Sequence, residues 1–595
     1  MTLLLLFVGM HLQANGSASY NQEKVHLDYE RGLCTGEKMA ATDESAQCPC
    51  EKAVSADERA LCTGDRTLFT EKRALPSADS VSFAHVGVRH TIDFIQLSEP
   101  RLHSENAAGL KNFNYPNVSK AEAFVLKSDG EFKNYYESAD SYNLGAEAES
   151  YYRLNPSVVF YGRVGYQYFK GKNMGASVFL DPYETPFDIV EYEDSTGGNK
   201  IKEQYNLTGA VSADVYEGLT LAGKIDYTAA NYAKMRDLRH KNTLMDLSLS
   251  VGASYDLSKR LSLGLHYFYR RNTEELSFKV YGNMDKQYTS LISYGGFFGQ
   301  TELFGQSGYT VSNTQTPLFN GYHGVGLQLD FAINPYLQFF NETGYTSRSG
   351  YYGKKSNTDI VYSDHHSDIL SYNGSLSLTK NDNQHTLQWA VEVENLENFE
   401  NVYERQTSPG GNTQIVYSDP LKMLDKQTTH VSFAYISLLG TGSYEPAWIF
   451  KAGAGYSGRR LMAIYFPFYR KQTMHTYDVH LSGKRNIQRG RNLFGIGLDV
   501  SYGAGNGTAK RDGEYSDVSE TRKIPVTLDR HLYREYEFLT ASRIKAGFNF
   551  RYSRIIHDEI AGYVQAGYTY TKAFDVEYLK NDDFCRATFI IGCNF

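Results

Sequence analysis

The chain has 595 residues, a net charge of −8 and 14% aromatic residues, 48 of them Tyr and only 2 Trp, yet its mean hydropathy is −0.46 because apolar and polar residues are interleaved. No run of about 18 apolar residues occurs, which argues against a helical membrane span. The mild acidity, with no basic stripe, argues against nucleic acid as a partner.

From the N-terminus, Leu3–Met10 is a short apolar run followed by small residues, with cleavage expected after Ala14 or Ala18, so residues 1–18 are read as an export signal. Residues 19–80 are charged, Ala-rich and poor in aromatics, and are expected to form a mobile extension. Cys34, Cys48, Cys50 and Cys62 fall within 29 positions of it. In an oxidising compartment one or two disulfides are the first expectation, with a metal site or free thiols as alternatives.

Residues 81–116 differ in character. Phe83, Val86, Val88, Ile92, Phe94, Ile95 and Leu97 make 81–97 the main apolar piece ahead of the patterned region. Burying half of them favours docking by several kcal/mol, at about 25 cal/mol per Å² and before ordering costs. This segment is expected to plug or dock against a barrel, with Arg89 and Asp93 meeting lumenal charges.

From residue 117 to 595 the pattern has period two. Met245, Leu247, Leu249, Val251, Ala253, Tyr255 and Leu257 alternate with polar residues, a turn follows at 256–260, and Leu261, Leu263, Leu265, Tyr267 and Tyr269 resume the alternation. That is a hairpin with one apolar face. The unit recurs at 140–169, 203–231, 321–349, 367–397, 428–459, 474–504 and 540–573. Long polar or Gly-rich stretches separate the units at 170–202, 274–320, 350–366, 398–427 and 505–539. With a first strand at 117–127 and a last at 584–595, the reading is all-β: a transmembrane antiparallel up-and-down β-barrel of about 18 strands, with short turns at one mouth and long loops at the other.

Chemistry in such a barrel resides on the inner face. Positions opposite the apolar ones include Glu147, Glu149, Arg153, Arg163, Asp214, Lys224, Asp226, Asp246, His266, Arg270, Gln328, Asp330, Glu392, Asp499, Lys545 and Arg551. These residues suit either a hydrated, salt-bridged wall or a selective solute pathway. Asp364-His365-His366-Ser367-Asp368 is the most metal-like cluster, but it falls in an expected loop, where such residues are usually solvated. With no nucleophile elbow in a strand-to-helix context, neither a catalytic nor a cofactor site is expected, and the chain is not read as an enzyme. Cys585 and Cys593, about 26 Å apart along an extended strand, cannot bridge each other.

The last segment, Arg586-Ala587-Thr588-Phe589-Ile590-Ile591-Gly592-Cys593-Asn594-Phe595, resembles the final strand of bacterial outer-membrane β-barrels, which commonly ends in Phe and is read by the assembly machinery. Residues 105–595, with Tyr-rich long hairpins, resemble the uncharacterised Bacteroidota outer-membrane β-barrel families. Asn106-Ala107-Ala108-Gly109-Leu110 resembles an Asn-Pro-Ala-x-Leu element of the long-chain fatty-acid transporter type. These resemblances imply an integral outer-membrane protein in contact with lipid and with the assembly machinery through Phe595. A passive or gated solute channel is the first functional reading. The alternative is a plugged barrel that docks a lipoprotein or other partner through 274–320 and 398–427. The 116 residues before the barrel are too few, and too largely unpatterned, for the globular plug of a TonB-dependent receptor.

Overall fold

The computed structural model describes residues 90–595 apart from 282–285, 307, 313, 408–412, 517–522 and 558–559. The export signal, the Cys-bearing extension and residues 81–89, Arg89 among them, lie outside the described residues.

The wall consists of 18 strands. They are β1 (Val118–Gly130), β2 (Asp140–Asn155), β3 (Val158–Met174), β4 (Gly198–Tyr216), β5 (Leu219–Lys234) and β6 (Arg239–Ser258), then β7 (Leu261–Lys279), β8 (Thr316–Asn334), β9 (Leu337–Gly353), β10 (Val361–Lys380), β11 (Asn383–Glu400) and β12 (Leu421–Leu439), and finally β13 (Trp448–Tyr465), β14 (Phe468–Arg489), β15 (Asn492–Glu514), β16 (Arg543–His557), β17 (Ile560–Ala573) and β18 (Asp583–Asn594). Each strand pairs antiparallel with its neighbours in sequence. β18 closes on β1, from Lys120↔Asn594 to Gly130↔Phe584. Closure leaves no edge strand, so every wall strand has a pairing neighbour on both sides.

Side chains alternate as lipid contact demands. Leu249, Val251, Leu263, Leu265 and Leu498 are exposed on the outside, whereas Ser250, Ser254 and His266 are buried. Apolar-out and polar-in is the reverse of a soluble protein and the signature of a membrane barrel. Cys585 and Cys593 both lie on β18 and are free thiols.

The short turns fall where the alternation places them, for example at 156–157, 217–218, 259–260, 335–336, 381–382 and 490–491. Two points correct the sequence reading. The opposite mouth also carries two tight connections, 235–238 and 466–467. In addition, the strands run on into the expected loops: β10 starts at Val361, β12 at Leu421, and β15 continues to Glu514. Above the lipid band the outer face meets water, so apolar alternation stops while backbone pairing continues. Asp364–Asp368 accordingly belongs to β10 rather than to a loop. His365 is buried against Asn320 Oδ1 at 2.8 Å, while His366 pairs with Glu397 at 3.3 Å.

Connections at the long-loop mouth fold inward. A four-stranded sheet is built from Val526–Thr527, Phe298–Leu303, Thr289–Ser293 and Asp188–Glu191, in that order. Its central hairpin turns through Gly295 (φ +129°) and Gly296 (φ +56°), a backbone that side chains resist. The buried Arg470 of β14 donates to Gly296 O at 2.9 Å and fixes this turn to the wall. Phe179, Phe187, Ile292, Tyr294 and Phe298 pack with wall residues such as Leu276, Tyr352 and Leu424 in one apolar cluster.

Candidate functional site

At the short-turn mouth, residues 90–117 cross the lumen. Thr91 caps the helix Ile92–Ser98 by accepting from Phe94 N, and two 3-10 turns follow, Pro100–His103 and Ala107–Asn112. Ile92, Phe94, Ile95, Leu102, Leu110 and Phe113 are buried in a cluster with Tyr151 and Val159 from one side of the wall and Ile436, Leu438 and Ile449 from another. Contacts to both sides make the segment a crossbar.

Its polar contacts are distributed around the ring. Asp93 meets Lys120 at 3.2 Å and Arg551 at 3.0 Å. Against the upward push of burial, these two cations hold the Asp93 carboxyl well below the usual carboxylate range. Gln96 donates to Glu149 at 2.5 Å, Arg101 pairs with Asp330 at 2.7 Å, and Lys111 pairs with Asp256 at 2.6 Å. Asn106 donates to Ala253 O at 3.0 Å and to Gln328 Oε1 at 2.9 Å, and its own Oδ1 accepts from Ala108 N. Two wall glycines cradle this amide. A Cβ at Gly252 would stand 2.0 Å from Asn106 Oδ1, and one at Gly264 would stand 3.0 Å from Asn106 Nδ2.

Of the inward positions read from the sequence, Glu149, Arg153, Lys224, Asp330 and Arg551 touch this crossbar, as does Gln328. Arg153 donates to Phe113 O, and Lys224 lies 3.5 Å from Glu105. The other charged positions are met within the wall. Arg163 pairs with Glu147 at 2.7 Å, Lys224 with Asp226 at 2.9 Å, and Arg270 with Asp246 at 2.6 Å. Asp214 accepts from Thr220 at 2.6 Å and Asp499 from Asn549 at 3.3 Å. His266 is buried beside Gly326, whereas Glu392 and Lys545 keep exposed side chains.

Sequence reasoning passed over a second group deeper in the lumen, formed by Arg348 on β9, Lys426 on β12 and Arg459 on β13. They surround the tip of the 175–197 connection. Arg348 donates to Glu184 O at 2.6 Å, Lys426 donates to Tyr183 O at 2.9 Å, and the Arg459 guanidinium lies 5.4 Å from the Tyr183 ring centre. A small cavity of about 60 Å³ adjoins them, lined by Tyr183, Asp188, Lys426, Arg459 and Glu535. Arg348 stands three residues from the lipid-facing Tyr345 and so falls on the opposite, inward face of a period-two strand, a signal present in the sequence.

Among curated proteins, none matches the chain in sequence. Among solved structures the chain is similar to the ferric preacinetobactin receptor BauA of Acinetobacter baumannii, with 9% identity, 80% of each chain covered and a TM-score of 0.33. It is also similar to the ferric-catecholate import receptor Fiu of E. coli K12, with 7% identity, 80% of this chain and 81% of that chain covered, and a TM-score of 0.32. A third similarity is to the monoaromatic hydrocarbon channel CymD, with 10% identity, 84% and 92% covered, and a TM-score of 0.29. A family model matches residues 107–595, from the second 3-10 turn of the crossbar through the whole wall, and the chain belongs to that family, the family of unknown function DUF6850.

Proposed function

We propose that this protein is an integral outer-membrane barrel that works as a gated solute channel, with the 90–117 crossbar as the gate at the short-turn mouth. The observation that supports this most directly is how the crossbar is held. Besides its apolar cluster it rests on discrete ion pairs, Asp93 with Lys120 and Arg551, Arg101 with Asp330, and Lys111 with Asp256. Asp93 and Asp256 keep 43% and 42% of their side chains exposed, so water can replace their partners, which suits a part that must leave and return. Charged inward positions such as Glu147, Arg163, Asp246, Arg270, Glu392, Asp499 and Lys545 then line the path.

The reading includes an outer-membrane location, lipid around the apolar belt, and delivery by the assembly machinery through the strand ending at Phe595. The Tyr-rich hairpins support a Bacteroidota origin, and Asn106–Leu110 supports kinship with the fatty-acid transporter type.

Planar-bilayer conductance tests the channel. The full chain should open rarely, and D93N/R101Q/K111Q should open often. Silence from both, with heat-modifiable folded barrels, would overturn the channel.

A second reading is favoured by the hairpin Tyr403–Thr407 with Thr413–Tyr417, which stands at the long-loop mouth with Val416 and Tyr417 exposed. In that reading the barrel docks a lipoprotein or another surface partner. Silent bilayers with a co-purifying lipoprotein would support it.

A further inference from the structure

The loop tip 181–185 sits on a belt of cations. Arg270 on β7 and Arg348 on β9 flank the Tyr322 ring, at 4.9 and 5.5 Å from its centre. Lys426 and Arg459 continue the belt on β12 and β13. Arg348 is only 2% exposed, and besides Asn320 and Glu394 it spends its Nη2 on the Glu184 carbonyl. Lys426, too, donates to a backbone carbonyl, that of Tyr183. A neutral carbonyl is a weaker acceptor for a guanidinium or ammonium than an anionic oxygen is.

The charge balance points the same way. Asp246, Glu394 and Glu535 pair with Arg270, Arg348 and Arg459. That leaves three carboxylates against four cations, and Glu184, whose exposed side chain acts on both Arg270 and Arg348, supplies the fourth negative charge. The tip therefore presents two carbonyl oxygens and one carboxylate to a cationic wall.

We propose that the belt of Arg270, Arg348, Lys426 and Arg459 is a binding site for an anionic, carboxylate-bearing solute, which the 181–185 tip occupies by mimicry until the solute displaces it. This rests on the channel reading, since solute must enter the lumen through the long-loop mouth. With the tip withdrawn, Lys426 is the belt's one cation with no ion-paired carboxylate among the described residues. The belt also exposes planar guanidinium donors matched to carboxylate geometry.

Calorimetric titration of citrate into the detergent-solubilised full chain tests the site, with sucrose as the neutral control. Replacing 181–185 by a Gly-Gly link should tighten citrate binding at least tenfold over the wild type. Adding K426Q and R348Q to that variant should return binding to the wild-type level or below, and sucrose should bind none of them. Heat-modifiability confirms folding, and K426Q alone serves if R348Q does not assemble. Equal citrate affinity with and without the tip, or affinity indifferent to K426Q, would overturn the site. In bilayers the tip-deleted D93N/R101Q/K111Q variant should prefer anions in a salt gradient. Conductance without anion preference would overturn this inference and leave the channel standing, whereas tip-dependent citrate binding without conductance would overturn the channel alone.

Discussion

Asp93 of the crossbar helix and Arg551 of β16, 458 positions apart in the chain, meet at 3.0 Å inside the barrel. Arg551 is 5% exposed, its Nε and Nη2 have no hydrogen-bond partner, and its buried charge is offset by Glu445 and by Asp93, the carboxylate it contacts. D93N should therefore loosen the crossbar by about 1–3 kcal/mol, less than a fully dry pair would lose because the lumen is wet. Limited proteolysis between residues 90 and 117 should quicken while the wall stays heat-modifiable; unchanged cleavage would count against the pair.

Gly252 offers a cleaner test, because it removes no charge. Alanine there places its Cβ 2.0 Å from Asn106 Oδ1, so G252A should push Asn106 off Gln328 and Ala253 O and raise the open fraction in bilayers. At Gly223, on the neighbouring strand, a Cβ meets only Ser250 O at 3.9 Å, and G223A should behave as wild type. The measurement is the ratio of the two open fractions.

Lys234 on β5 and Glu191 on the loop sheet form a buried pair at 2.5 Å, with side chains 0% and 1% exposed. K234M strands the carboxylate and should cost about 3–5 kcal/mol. E191M in the same chain should recover most of that loss, because an apolar pair of similar volume replaces the ions. Equilibrium unfolding of both variants reads the difference.

Burial pushes the Asp188 carboxyl up to about 6, against the pull of the Ser177 and Tyr135 hydroxyls and of Lys200. A carboxyl whose folded pKa lies above its unfolded value near 4 takes up a proton more readily when folded, so stability falls as pH rises from about 4 to about 6 and is flat above. The loss should be on the order of 2 kcal/mol. Hydrogen exchange of 176–191, corrected for intrinsic rates, should show firmer docking at pH 4.5 than at pH 7. D188N should flatten that window and leave the contribution of Glu302, raised by burial to about 7.

Leu498 is 61% exposed on the outer face of β15. In lipid vesicles L498R should cost about 2–4 kcal/mol if this part of the strand lies at mid-membrane, because a cation there must be drawn out of water. The adjacent inward position should tolerate D499N within about 1 kcal/mol. Equal effects in chemical unfolding would contradict the assignment of faces.

The wall was legible in the sequence because lipid imposes a strict rule on it. Leu249, Val251, Leu263 and Leu265 must alternate, and the turn between them must be short. Legibility ended where that rule ends. Lys426 fell inside an expected loop because its neighbours on β12 stand above the apolar belt, and Asp364–Asp368 was read as a loop for the same reason. The partners of Asp93 were beyond local reasoning, since Lys120 and Arg551 share its neighbourhood only after β1 and β18 join. The inner loop sheet carries no period that marks pieces from 188–191, 289–303 and 526–527 as one unit.

The crossbar runs directly into β1 at Asn117–Val118, so a released crossbar cannot diffuse away. Its return is intramolecular, at an effective concentration of order millimolar for a short flexible tether. If the crossbar is the gate proposed above, weak individual contacts then suffice to keep the closed state dominant, and no second protein is needed to reset it. In the channel reading, reclosing is a property of the chain's own connectivity.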